Sequence, residues 1–178
     1  GGTREGGGSV EGVGGEGCGQ RIADQAEGFL VALQAISGEE AGQAAVPLLL
    51  LEVSQILLAG ARLGAQNDFG LEQEFQPDVG PDPDLDAMRL RLARLLDGVD
   101  TYVYIFDPYE PELVGAKLSD ELTSVANALA NGLRHFRAGD IGEALWGWQF
   151  SYVSSWGHEA SGALRARQAS VTHARTAP

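Results

Sequence analysis

Apolar residues recur at helical spacing five or six times along this chain, whereas strand-like alternation occurs once, briefly, over 101–106. One short alternating run is too little to build a sheet, so the pattern predicts an all-α fold: a single bundle of five to six helices. The first helix is expected from about Arg21 to Ile36, with Ile22, Ala26, Phe29, Leu30, Leu33 and Ile36 on one face. Ser37-Gly38 ends it, and Ser37 with Glu40 forms a capping box that opens a second helix running to about Ala65. Pro47 falls inside that helix, where loss of a donor and a clash with the preceding turn predict a kink or break.

Periodicity fails from Gln66 to Asp86. Pro77, Pro81 and Pro83 with seven acids and no base describe a long, extended, solvated connection, which Phe69, Leu71 and Phe75 are expected to pin partly to the core. A third helix follows from about Leu85 to Leu96, with Leu85, Met88, Leu92, Leu95 and Leu96 inward and Arg89, Arg91 and Arg94 outward. The stretch Val99 to Phe106 fits either a helix or an extended segment, with a short helix preferred, and Pro108 and Pro111 in FDPYEPE end it. Ser119, Asp120 and Glu121 then start a helix whose stripe is Leu122, Val125, Leu129, Leu133 and Phe136, capped by Gly139. The last helix carries two apolar stripes, one of Ile141, Leu145, Trp148, Tyr152 and Trp156 and one of Trp146, Phe150 and Val153, which predicts a central place in the bundle.

Composition changes this picture at the ends. Ten of the 25 glycines lie in the first nineteen residues, so residues 1–19 are expected to be a disordered leader or a fragment boundary, and residues 20–175 a single helical domain. That leader has no apolar core flanked by basic residues, unlike a secretory signal. The apolar run 44–63 contains Glu52, Gln55 and Arg62, which favours a buried helix over a membrane span.

Twelve basic residues against 25 acidic ones give a net charge of -13, which disfavours direct nucleic-acid binding. The arginines after Leu164 are read as complementing the negative end of a helix dipole. Cys18 is the one cysteine, which excludes an internal disulfide framework and suits a cytoplasmic location.

No catalytic or cofactor signature is present. His135, His158 and His173 lack the spacing that places two ligands on one metal, and the aspartates of the long loop do not fit a calcium loop, so neither metal nor cofactor is expected. Five of the thirteen aromatics lie between Trp146 and Trp156. They read first as core; with Glu52, a carboxylate interrupting an apolar helix, the set Glu52, Trp146, Trp148, Tyr152 and Trp156 is the candidate pocket. A second candidate is an acidic interaction surface formed by Asp78, Asp82, Asp84 and Asp86 of the long loop and by Asp107, Tyr109 and Glu110 of the FDPYEPE turn.

The blocks LLLLEVSQILLAGARLGA, PDVGPDPD, FDPYEPE and ALWGWQFSYVSSWG, with ALRARQASVTHAR after them, resemble the domain-of-unknown-function family numbered 5063, in its actinobacterial branch. The likeness covers about Ile22 to Arg175 and implies a cytoplasmic, helical bacterial protein without implying an activity or a catalytic residue. Two functions from different classes remain. The first is a non-enzymatic protein-interaction module that meets a basic protein surface, with no membrane and no direct nucleic acid. The second is a small-molecule-binding protein or enzyme with its site between the second and last helices.

Overall fold

The computed structural model describes residues 11–38, 45–70 and 78–176. Among the described residues six α-helices and one β-hairpin follow one another: α1 (Glu11–Gly38), α2 (Ala45–Gly64), α3 (Asp86–Leu95), β1 (Thr101–Ile105), β2 (Leu113–Lys117), α4 (Leu118–Arg137), α5 (Ile141–Ser151) and α6 (Gly157–Thr176). Five residues of π-helix, Tyr152–Trp156, join α5 to α6. The arrangement is all-α apart from the two-stranded hairpin.

The expected stripe of α1 is the one that packs: Ile22, Ala26, Phe29, Leu33 and Ile36 are buried. The helix begins earlier than composition suggests, so residues 11–19 of the glycine-rich leader belong to it; residues 1–10 lie outside the described part. Gly19 shows why. A β-carbon there would lie 3.3 Å from the Phe136 ring and 3.4 Å from Ile141, so the missing side chain lets α1 run close along α4 and α5. Packing of this kind outweighs glycine's helix penalty of about 1 kcal/mol.

Pro47, where a kink or break is expected, lies within the described helical stretch of α2, which runs through it from Ala45 to Gly64. Ser37 lies within α1, its hydroxyl donating to the Gln34 carbonyl at 3.0 Å; its expected capping partner Glu40 lies outside the described residues. Leu49, Val53, Ile56 and Leu63 of α2 face the core.

The preferred short helix over 99–106 is a strand. Thr101 to Ile105 alternates β-branched and aromatic residues, and it pairs antiparallel with 113–117 in the register Val103↔Gly115 and Ile105↔Leu113. The prolines of FDPYEPE exclude a helix between the strands, and the Asp107 carboxylate accepts the Tyr109 N–H at 2.9 Å to close the turn.

From α4 onward the chain is an antiparallel helical hairpin about Gly139, whose φ of 90° requires glycine. Of the two apolar stripes expected on the last helix, one is buried, with Trp148 and Trp156 inside, while Phe150 and Val153 of the other are exposed. The π-segment accounts for this. Its i→i+5 turns hold more residues per turn, so side chains four apart (148, 152, 156) stay near one face.

Candidate functional site

The aromatics of the last helix are built into the frame. Trp148 donates its indole N–H to the Leu129 carbonyl at 3.1 Å and occupies the space a side chain on Gly132 would need. Tyr152 and Trp156 stack edge to face at 4.8 Å and fill a notch in α2, where a β-carbon on Gly60 would meet both rings at 2.6 Å. Gln149 beside them donates to the Leu63 carbonyl at 3.2 Å and accepts the Phe69 N–H at 3.0 Å, tying the end of α2 and the start of the long loop to α5. Phe69 is packed against the core, whereas Leu71 and Phe75 lie outside the described residues.

Glu52 is not part of that notch. It lies half-buried two turns before Gly60, about 12 Å along α2. Burial pushes its carboxyl above the usual carboxylate range. Trp146 is separate again: it stacks on Phe150 at 5.2 Å and lines a small surface groove with Phe69 and Val153. The five residues of the candidate pocket are therefore spread over the core, a helix flank and a surface groove.

Asp78, Asp82, Asp84 and Asp86 of the long loop each have a local partner. Asp78 accepts the Gly80 N–H at 2.9 Å and Asp84 the Asp86 N–H at 3.0 Å. Asp86 lies 3.8 Å from Arg89. Asp82 pairs with Arg134 of α4 at 2.7 Å, and the same guanidinium donates to the Gly80 and Pro81 carbonyls and to Asn131. One arginine thus pins the proline-rich end of the loop to α4. At the other candidate surface Asp107 turns inward to its own loop, while Tyr109 and Glu110 stand in solvent.

The hairpin brings together what the sequence keeps apart. Its outer face is apolar and uncovered: Val103 is 61% and Leu113 75% exposed, with Ile105 between them. Beside β1, a groove of about 550 Å³ runs along α6, lined by Phe106, Leu113, His158 and Arg165 among others. Phe106 stacks on the His158 imidazole at 4.3 Å, and His158 Nε2 lies 3.0 Å from the Val153 carbonyl of the π-segment.

Tyr102 and Tyr104 occupy the inner face, 5.6 Å apart. Gly162 of α6 lets them in, since a β-carbon there would be 3.0 Å from the Tyr104 ring and 3.2 Å from the Tyr102 hydroxyl. Glu121 of α4 and Glu159 of α6 border these phenols. The Tyr102 hydroxyl and one carboxylate oxygen each of Glu121 and Glu159 are buried without a hydrogen-bond partner among the described residues. Burial first, then Glu159 and Asp120, push the Glu121 carboxyl up to about 7. Burial and the same two glutamates raise both tyrosines, with Tyr104 adding to the effect on Tyr102. Glu121 can therefore hold a proton near neutrality. Among the described residues no group of three His, Cys, Asp or Glu side chains could bind a metal ion.

Arg167 is fully buried in the middle of α6, and burial lowers its pKa. It therefore does not serve the helix dipole as expected, and Arg165 lines the groove instead. Nothing in the sequence pattern singled out Arg167, Gln149 or the Glu121–Glu159 pair, since their burial depends on neighbours from other elements.

The model of the domain-of-unknown-function family DUF5063 matches residues 17–173. The chain belongs to this family. No curated protein matches it. A crystal structure of protein BF1032 from Bacteroides fragilis has the same fold, with a TM-score of 0.69 at 15% identity over 88% of this chain and 91% of that one. At that identity the likeness extends to the fold alone.

Proposed function

We propose that this DUF5063 member is a non-enzymatic protein-interaction module and that the β-hairpin is its docking element. The observation that carries this reading is the apolar outer face of the hairpin, Val103, Ile105 and Leu113, standing in solvent beside the α6 groove. Apolar residues exposed together on a two-stranded sheet mark an interaction surface or an aggregation hazard. The acidic turn beside them, with Asp107, Glu110 and Glu112 and no basic residue from Thr101 to Ala116, adds charge to the apolar face and steers what approaches.

The occupant that fits is a segment of a partner protein with apolar side chains followed by basic ones. Its apolar part would lie on Val103, Ile105 and Leu113 and its basic part at the turn. A cytosolic setting suits this reading, because Cys18 has no second cysteine to pair with in the chain. The burial of Trp148 and Trp156 weighs against the small-molecule alternative, since neither ring offers surface to a ligand.

A photo-crosslinking amino acid in place of Leu113, introduced in cells of the source organism, tests this. The expected result is one reproducible product with a basic segment at the link. Its affinity for the purified module should fall at least tenfold on Val103→Asp and weaken with salt. Products that are equally abundant when the crosslinker replaces the exposed Val31 of α1, or an affinity unchanged by Val103→Asp, would overturn the reading.

A further inference from the structure

The outer face of α2 is apolar in a chain that is otherwise strongly acidic. Leu48, Leu51 and Leu58 are 43%, 50% and 54% exposed. With Gln55 and Arg62 they fall at 48, 51, 55, 58 and 62, alternating spacings of three and four, the seam of a coiled coil. Among the exposed residues of α2 only Arg62 is charged. Two molecules of net charge -13 repel one another over most of their surfaces, and this face is where a second copy can approach without that penalty.

We infer that two copies of the chain associate antiparallel through the outer faces of α2, about a two-fold axis at Gln55. In this arrangement Leu51 meets Leu58 of the second copy and Gln55 meets its own equivalent, as an isologous interface requires. A parallel pair would instead place Arg62 against Arg62.

Glu52 supplies the independent argument. It lies near the angular position of Ala59, seven residues on, which lines the groove between α1 and α2, and about 80° round the helix from Arg62 on the seam. Glu52 and Arg62 are ten residues apart on one chain, too far to pair, and neither has an ion-pair partner among the described residues. The antiparallel two-fold places the Arg62 of one copy about 6 Å along the helix axis from the Glu52 of the other, within reach of an arginine side chain. The half-buried carboxylate thus gains a cation in the dimer.

The seam from Leu48 to Arg62 is about 21 Å long and one helix, about 10 Å, wide, roughly 200 Å² per copy from α2 alone. A standard interface takes about 800 Å² per partner, so the dimer should be reversible and concentration-dependent.

A membrane is the competing occupant, since the stretch Pro47–Gly64 is long and apolar enough to cross one by length and composition. Helices that lie on membranes are flanked by several Lys and Arg, and this face has one.

Sedimentation velocity over a range from about 1 to 300 µM should show a monomer–dimer equilibrium. Arg62→Glu should weaken the dimer at least tenfold, and Glu52→Arg with Arg62→Glu in the same chain should restore it. On a Cys18→Ser background, Gln55→Cys should be joined efficiently by a short bis-maleimide and Leu48→Cys should not. A wild-type chain that stays monomeric to 300 µM, with or without binding to phosphatidylcholine vesicles, overturns the inference. A charge swap that fails to restore association, or efficient joining through Leu48→Cys, overturns the antiparallel pairing.

Discussion

Asp100 and Ser119 join the hairpin to the helix that follows it: the Asp100 carboxylate accepts the Ser119 backbone N–H at 2.7 Å and its hydroxyl at 2.8 Å. The Asp100 carbonyl also accepts the Leu118 N–H at 2.8 Å. A residue just before β1 therefore satisfies two of the free donors at the start of α4, and it does so across the hairpin rather than from within the helix.

Replacing Asp100 by alanine should cost about 0.5 to 2 kcal/mol, the range for losing a helix N-cap. Ser119 is buried, so its freed donors would not be fully recovered by water. Urea denaturation measures the loss, and an unchanged midpoint would show that α4 is capped in another way.

Trp148 is enclosed on every side. It has no exposed surface, it is hydrogen-bonded to Leu129, and it lies against Gly132 and, at 6.1 Å, Phe136. Trp148→Ala should cost about 3 to 5 kcal/mol, as the removal of a large aromatic from a packed core does. Gly60→Ala reaches the same core from α2. Its methyl would meet Tyr152 and Trp156 at 2.6 Å, so overpacking should cost about 1 to 3 kcal/mol despite alanine's better helix propensity. A Gly60→Ala variant more stable than its parent would show that the two rings move aside freely.

Periodicity made the helical stripes legible. Ile22 to Ile36 and Leu122 to Leu133 were readable because each buried face lies within one element. The hairpin was missed because its second strand, LVGAK, is five residues with a glycine, an alanine and a lysine, and shows no alternation by itself. Only pairing with Thr101 to Ile105 makes it a strand, and pairing is not a local property. The Tyr102, Glu121 and Glu159 cluster has the same origin, since it draws on β1, α4 and α6.

Stability should depend on pH through Glu121. Its carboxyl titrates at about 7 when folded, against an ordinary value of 4.5, so the folded protein holds this proton more tightly than the unfolded chain. The associated stabilisation is fully present below about 4.5, declines as pH rises, and is lost as pH passes through about 7. Glu121→Gln should remove this slope and leave the variant more stable than its parent at pH 8. Urea midpoints at pH 5, 6, 7 and 8 decide it, and parallel profiles for the two proteins would exclude Glu121 as the group responsible.

The last prediction separates fold from recognition at the acidic loop. Asp78 and Asp84 make turns within the loop, and Asp86 is 3.8 Å from Arg89, but Asp82 is one of several oxygens that the Arg134 guanidinium gathers from Gly80, Pro81 and Asn131. The Asp82 carboxylate is 71% exposed, and exposed ion pairs contribute about 0 to 1 kcal/mol, so changing Asp78, Asp82, Asp84 and Asp86 to asparagine should hardly alter the melting midpoint. Arg134→Met differs because it removes the donor shared by all these oxygens at once. The loop end should then detach from α4 and be cut by a protease between Asp78 and Asp86 while the helices stay folded. If the loop also serves a basic partner, the asparagine variant should slow association and reduce its salt dependence with the fold unchanged. Equal cleavage of Arg134→Met and its parent would mean that the loop is held by something other than this arginine.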